Sequence, residues 1–269
     1  MRAKWLLSTA ACVLLALVAC GSNDASAPVS GSPSAAGDTT EITVFAASSL
    51  TTAFTQIGSD FEAANPGASV TFNFGPSGDL AAAIGSEGTA DVFASASGAY
   101  MDEVSGEVGV SGRADFALNE LVIITPTDNP ANISSLQDLA APGVQLVLAA
   151  EGVPVGDYAR QALGTAGIAE AALANVVSNE EDDAAVVARI TAGEADAAVV
   201  YVSDVTSAVL PRVNAVGIPD IANVIATYPI AVVAGSTHAD LAQAFVDYVT
   251  GPEGEATLAD FGFLPPPST

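Results

Sequence analysis

Lysine is missing from the chain after Lys4, and beyond Arg2 only four arginines remain: Arg113, Arg160, Arg189 and Arg212. Against them stand 31 acidic residues, for a formal net charge of −25. A field of that sign repels polyanions and excludes nucleic acid as a partner. Histidine occurs once, in the helix-opening stretch Ser236-Thr237-His238-Ala239-Asp240, where a solvated position is expected. Both cysteines, Cys12 and Cys20, fall in the first twenty residues, so the body of the chain has neither thiol nor lysine. The usual nucleophiles and bases are therefore missing, and the chain is not expected to be an enzyme. Serine hydrolysis would need His238 beside Ser49 or Ser77, which the spacing does not suggest. The acidic run Glu180-Glu181-Asp182-Asp183 lacks the alternating ligands and turn glycine of a calcium loop and reads as a solvated helix start. No direct protein ligand to a metal and no cofactor are expected.

What is present begins with a leader. Arg2 and Lys4 precede an apolar run over residues 5–19, which is too short to span a bilayer and has the charge order of a secretory signal. It ends in Leu17-Val18-Ala19-Cys20-Gly21, which resembles the bacterial lipobox, whose cysteine is acylated and becomes the first mature residue. Residues 1–19 are thus read as a lipoprotein signal peptide and Cys20 as the lipidation site. The protein is expected outside the cytoplasm, held by its lipid to the outer face of the cell membrane or in a periplasm. Cleavage removes Cys12, leaving no partner for a disulfide within the mature chain, and takes the formal charge to −27. Residues 21–40 are nearly all small or polar and cannot bury enough surface to fold. With Cys20 they form a tether, spanning roughly 25 Å as a flexible coil.

From residue 41 to 265 short β-branched runs alternate with helical patterns, the signature of an α/β protein with mostly parallel sheets. Leu50, Phe54, Ile57 and Phe61 make one helical stripe that Asn65-Pro66-Gly67 ends. Val70, Phe72 and Phe74 alternate as a strand, and further strands are expected at 91–95, 121–125, 145–150, 195–202 and 230–234. Helices are expected after Ser77, around Met101 and Val104, after Ser134 or Ser135, around Tyr158, from Ser178 or Asn179, and along Leu241, Phe245, Tyr248 and Val249. About 225 residues of this kind suit two lobes. The all-apolar run at 121–125 reads as a crossover to the second lobe, with a return near Thr227. Lobe I then comprises 41–119 with 224–269, and lobe II 120–223. Two open α/β lobes bind ligands in the cleft beyond their strand ends.

Two segments place a serine where a strand gives way to a helix: Ala47-Ser48-Ser49-Leu50 and Gly75-Pro76-Ser77-Gly78. The first N–H groups of a helix have no partner inside it and carry the positive end of its dipole, so each such place is a potential anion seat. Taken alone, a serine there is ordinarily an N-cap. With so few cations available, an anionic ligand has to be held by oriented neutral dipoles.

Nine stretches, in order and with suitable spacing, carry a resemblance: ITVFAASSL, FGPSGDL, ADVFASAS, ELVIITP, VPVGDYARQAL, VVYVSDV, YPIAVVAG, FVDYVTGPEGE and FGF. Over residues 41–264 the chain resembles the ModA family, the molybdate-binding proteins of ABC importers. The resemblance implies a type II periplasmic binding fold with a closing inter-lobe cleft, and an oxyanion held by neutral donors alone. Its donors map onto the hydroxyls of Ser49 and Ser77, the backbone N–H of Val155, the backbone N–H of Asp183 and the hydroxyl of Tyr201. Asp183 departs from the family pattern, which has an apolar residue there. Because its donor is backbone, the carboxylate is free to turn to solvent. The implied ligands are molybdate and tungstate and the implied partner is an ABC permease, the protein itself being a monomer. A pocket lined mainly by donors disfavours an oxyanion that still carries a proton, such as hydrogen phosphate.

Two other readings remain beside this one. A receptor for another anion, sulfate or a small carboxylate, would in the second case place an arginine in the cleft for bidentate pairing, with Arg160 the one to test. A surface-anchored interaction module would have a vestigial cleft filled with side chains.

Overall fold

The computed structural model describes residues 39–266. The signal segment, the lipidation site expected at Cys20 and nearly all of the tether lie outside the described residues. The chain alternates strand and helix in the order β1 (Thr40–Ala47), α1 (Thr51–Ala64), β2 (Ala68–Gly75), α2 (Ser77–Glu87), β3 (Val92–Ala94), α3 (Gly98–Glu107) and β4 (Val110–Pro126). It continues through β5 (Leu146–Ala149), α4 (Pro154–Thr165), α5 (Ala169–Leu173), β6 (Val176–Glu180), α6 (Asp183–Thr191) and β7 (Ala197–Tyr201). The last elements are β8 (Val213–Gly217), β9 (Ile225–Val233), α7 (Ala239–Val249) and α8 (Pro252–Asp260).

The strands are ordered β2-β1-β3-β9-β4-β7-β5-β6, with β8 on β4. Parallel pairs form the two wings, β2-β1-β3 and β7-β5-β6, while the strands between them pair antiparallel. The architecture is a mixed α/β fold. Period-two alternation places successive β1 side chains on opposite faces. Ile42, Val44 and Ala46 meet the α1 stripe of Phe54, Ile57 and Phe61, whereas Phe45 joins Leu80, Ile84, Met101 and Val104 from α2 and α3. Phe54 and Phe61 pack edge-on against Phe245 of α7 with ring centroids 6.1 and 5.3 Å apart. Such pairs add about 0.5–1.5 kcal/mol beyond the area they bury.

β4 is the element that joins the wings. Residues up to Glu120 pair with β9, and from Leu121 onward the strand pairs with β7 and β8. At the change of partner one half-buried polar side chain keeps the backbone satisfied. Asn223 accepts from the Leu121 N–H at 3.1 Å and donates to its carbonyl at 3.0 Å, continuing the ladder where β9 has not yet begun.

Several boundaries differ from the sequence expectation. The strand anticipated at 121–125 starts at Val110, because its first half is exposed, interrupted by bulges and reads as polar. Ser178 and Asn179 open no helix; they lie in β6, and α6 is capped instead by Asp182, whose carboxylate accepts from the Ala185 N–H at 2.8 Å. Ser135 caps only a 3-10 turn, Leu136–Ala140, through a capping box with Asp138. β8 was not anticipated.

Candidate functional site

Every residue of the site sits at or just beyond the carboxyl end of a strand, where α/β sheets ordinarily bind ligands. β1 ends at Ala47 and runs into the 3-10 turn Ser48–Leu50; β2 ends at Gly75, one proline before Ser77 opens α2. α4 begins with Pro154, whose fixed φ and missing N–H suit a first helical position, and Val155 follows. α6 begins with Asp183, and β7 ends with Tyr201. Ser49, Ser77, Val155, Asp183 and Tyr201 all line one small, partly open cavity, together with Ser48. Its volume is about 10 Å3, room for about one water, so no extended ligand fits it.

Neither expected serine is an N-cap. No side-chain cap bond is made at the start of the Ser48–Leu50 turn, of α1 or of α2. The hydroxyls are used otherwise. Ser77, 1 % exposed, accepts the Ala96 N–H at 3.0 Å, so its own proton remains to be donated. Ser49 stands 2.9 Å from the Tyr228 hydroxyl. Tyr228 also accepts from Asn119 Nδ2 at 3.3 Å, and either hydroxyl of the Ser49–Tyr228 pair can donate; with Tyr228 donating, the Ser49 proton is left for the cavity. The Val155 N–H lies in the first turn of α4, where the helix provides no acceptor and no side chain caps it.

Tyr201 is 1 % exposed, and its hydroxyl is the one buried side-chain polar atom without a hydrogen-bond partner among the described residues. Its ring packs edge-on against Tyr228 with centroids 5.9 Å apart. An unpaired buried hydroxyl costs about 1–3 kcal/mol, so the fold carries an unfavourable donor on a residue that lines the cavity. Burial holds both phenols well above their ordinary pKa, and they stay protonated donors at any physiological pH.

Asp183 corrects an expectation. Its carboxylate does not turn to solvent: the residue is 3 % exposed and lines the cavity. The cause is the later start of α6, whose first residue is wedged against the Ser48–Leu50 turn and the turn that follows β7. Burial pushes its pKa up to about 6, opposed by the Ser48 hydroxyl beside it and reinforced by Asp182. Asp204, which accepts the Tyr201 N–H at 2.8 Å, is raised well above the carboxylate range, first by burial and then by the charge of Asp183. The acidic run is thus not a solvated helix start throughout. Glu180 pairs with Arg189 at 3.0 Å, Asp182 caps α6, and Asp183 faces inward.

No cation lines the cavity. Arg160 donates to the carbonyls of Ala149 and Gly156, each at 2.8 Å, and to Asn179, on the far side of α4's first turn. Arg113 pairs with Asp102, Arg189 with Glu180 and Glu194, and Arg212 donates to the Thr191 carbonyl. A bidentate clamp for a carboxylate ligand is absent from this cavity. His238 stands 3.9 Å from Asp91 on the rim of a larger concavity of about 740 Å3, which is open to solvent and shares no residue with the site. No group of three or more His, Cys, Asp or Glu side chains among the described residues could hold a metal ion.

The residues that sequence reasoning missed are Tyr228, Asn119 and Asp204. Tyr228 falls in the run Tyr228-Pro229-Ile230-Ala231-Val232-Val233, which reads as apolar strand, so nothing in the pattern marks its hydroxyl.

The family model described as "Bacterial extracellular solute-binding protein" matches residues 42–264. A curated relative, the molybdate-binding protein ModA of Mycobacterium tuberculosis, is 40 % identical over 98 % of this chain and 100 % of its own. Among solved structures, the substrate-binding domain of a putative molybdenum ABC transporter from Clostridium difficile is 26 % identical with a TM-score of 0.66, covering 84 % of this chain and 99 % of that one. The periplasmic molybdate-binding protein of Azotobacter vinelandii, at 19 % identity, shares the type II periplasmic binding fold with a TM-score of 0.75 over 84 % of this chain and 100 % of its own.

Proposed function

Because the chain belongs to the ModA family of bacterial extracellular solute-binding proteins, and is therefore a solute receptor rather than an enzyme, we propose that it captures molybdate outside the cytoplasm as cargo for an ABC importer. The observation that carries this reading is the unpaired, buried hydroxyl of Tyr201, a residue that lines a pocket together with three helix starts. A tetrahedral dianion supplies what that hydroxyl lacks: acceptor oxygens pointing in several directions at once. Ser49, Ser77 and Tyr201 donate through hydroxyls, and Val155 and Asp183 through backbone N–H groups. The N-termini of α2, α4 and α6 add their dipoles. Charge-assisted hydrogen bonds contribute about 1.5–3 kcal/mol each, so a handful provides the roughly 8 kcal/mol of micromolar binding even after ordering costs. No lysine or arginine is required.

The site draws Ser49 and Ser77 from residues 41–119 and the other three from residues 120–223. In this reading those segments, the first completed by 224–269, are two lobes that close on the ion, with β4 and the entry to β9 as the connections. Tungstate, of the same charge and shape, is taken up alongside molybdate. The protein works as a monomer tethered through a lipid on Cys20 and passes the ion to a membrane permease unchanged.

Thermal unfolding against molybdate, tungstate, sulfate, phosphate and citrate tests the proposal. At ligand a hundred times Kd the fold gains about 2.7 kcal/mol, or roughly 5–10 °C in a protein of this size. Molybdate and tungstate should give that shift at the lowest concentrations. A shift with citrate and none with molybdate would overturn the assignment.

A further inference from the structure

Asp183 puts an acid where a bound dianion would lie. Its side chain is 3 % exposed and lines the same void as Ser49, Ser77 and the unpartnered Tyr201 hydroxyl. No cation of the chain lines the void, so only hydrogen bonds, from the Ser48 hydroxyl and the Ala184 N–H at 3.1 Å, and helix dipoles offset a carboxylate lying beside two further negative charges.

The surroundings of Asp183 supply only neutral or acidic groups. From the turn after β1 comes the Ser48 hydroxyl, from β7 the phenol of Tyr201, from β9 that of Tyr228, and from the turn after β7 the carboxyl of Asp204. On its own helix Asp182 is engaged as the cap, and Arg189 is held by Glu180 and Glu194. From β6 the nearest charged residue is that same Glu180, while β5 and the part of β4 paired with β7 carry none. Asp183 lines the pocket with the Asp204 carboxyl beside it, so a bound dianion would meet this acid pair with no cationic side chain to offset it. A proton on Asp183 removes that repulsion.

We propose, on the oxyanion reading of this cleft, that Asp183 is a specificity-determining residue that makes ligand capture proton-linked: a dianion is bound together with one proton, carried by Asp183 in a hydrogen bond to an anion oxygen. The free acid pair already holds its protons unusually tightly, since burial raises both members, and a dianion arriving beside Asp183 raises its affinity for a proton further. An anion that brings its own proton meets an acceptor in Asp183. Hydrogen phosphate is then not rejected for want of an acceptor, as a pocket of pure donors would reject it.

Isothermal titration of the full chain with molybdate, at pH 6, 7 and 8 in two buffers of different ionisation enthalpy, tests this. Above pH 6.5 the wild-type protein should take up about one proton per molybdate, and Kd should weaken about tenfold per pH unit. Asp183→Asn, which keeps shape and hydrogen-bonding capacity, should take up none, show a flat Kd and bind more tightly than wild type at pH 8. A flat wild-type Kd with no proton uptake, or an Asp183→Asn protein that keeps the wild-type slope, overturns the inference and leaves molybdate capture standing. Molybdate binding at none of the three pH values overturns the oxyanion reading as well. Should Asp183→Asn not fold, which its unliganded melt reveals, the proton count on the wild type decides alone.

Discussion

The hydroxyls of Ser49 and Tyr228 lie 2.9 Å apart, tying the first turn after β1 to the middle of β9, 179 positions later in the chain. Asn119 donates into the same tyrosine and also to the Ser203 hydroxyl at 2.8 Å, so a buried polar relay runs from the partner change of β4 to the cavity wall. Its direction sets which proton Ser49 can offer.

Tyr228→Phe removes that direction without opening a large void. Ser49 then loses its fixed partner and is free to rotate, and the net loss of one hydrogen bond, about 0.5–1.5 kcal/mol, weakens molybdate binding by roughly 2- to 10-fold. Calorimetric titration measures the change. An unaltered Kd would show that the relay does not orient Ser49.

Tyr201→Phe acts on the other tyrosine and has the opposite signature in the free protein. Removing an unpaired buried hydroxyl leaves the unliganded melting temperature unchanged or raises it, whereas loss of a charge-assisted donor, about 1.5–3 kcal/mol, weakens binding roughly 10- to 100-fold. Paired melting and titration experiments separate the two effects. A destabilised free protein would mean that the hydroxyl has a partner after all.

Ser77→Ala and Ser49→Ala differ although both lose a donor to the ligand. Ser77 alone satisfies a backbone N–H, that of Ala96, so its replacement strands a buried donor at about 1–3 kcal/mol. The unliganded melting point should fall by several degrees for Ser77→Ala and barely move for Ser49→Ala. Equal falls would contradict this division of labour.

Gly156→Ala probes the first turn of α4. A Cβ there would stand 2.4 Å from the carbonyl oxygens of both Ala149 and Ala150, backbone atoms that cannot move aside singly. The helix start must lift off β5 and carry the Val155 N–H with it. Overpacking of this kind costs about 1–3 kcal/mol, so a drop of roughly 2–10 °C in melting temperature should accompany weakened binding. Wild-type stability and affinity together would show that the close approach is not needed.

The pH dependence of the ligand-free fold follows from Asp183. Its ordinary value is 3.8 and in the fold it is about 6, so between these the native state holds a proton that the unfolded chain has released. Stability from this group is therefore complete below about pH 4 and declines as pH rises to about 6. Asp204, raised further, extends the decline upward. The melting temperature of Asp183→Asn minus that of the wild type should grow over that window. A constant difference would place the Asp183 carboxyl at its ordinary value.

Local patterns carried much of the architecture. The stripe of Leu50, Phe54, Ile57 and Phe61 announced α1, and all four are buried, because a helix can hide one face only by repeating apolar residues at its own period. Where the period was masked, reading failed. The first half of β4 is too polar and bulged to look like a strand, and β6 ran through residues that pass for helix caps.

Composition and motif order determined the class of this protein. So few cations leave an anion to be held by dipoles, and nine ordered stretches with serine at two strand-to-helix junctions named the family and the residues to inspect. Only the tertiary structure decided what those residues do. Whether a hydroxyl caps a helix, accepts from Ala96 or stands unpaired depends on which distant strand ends arrive beside it, and the same is true of a carboxylate's exposure. Asp183 turned inward for that reason: the position of its first helical turn is set by packing between elements far apart in the chain, which no local spacing encodes.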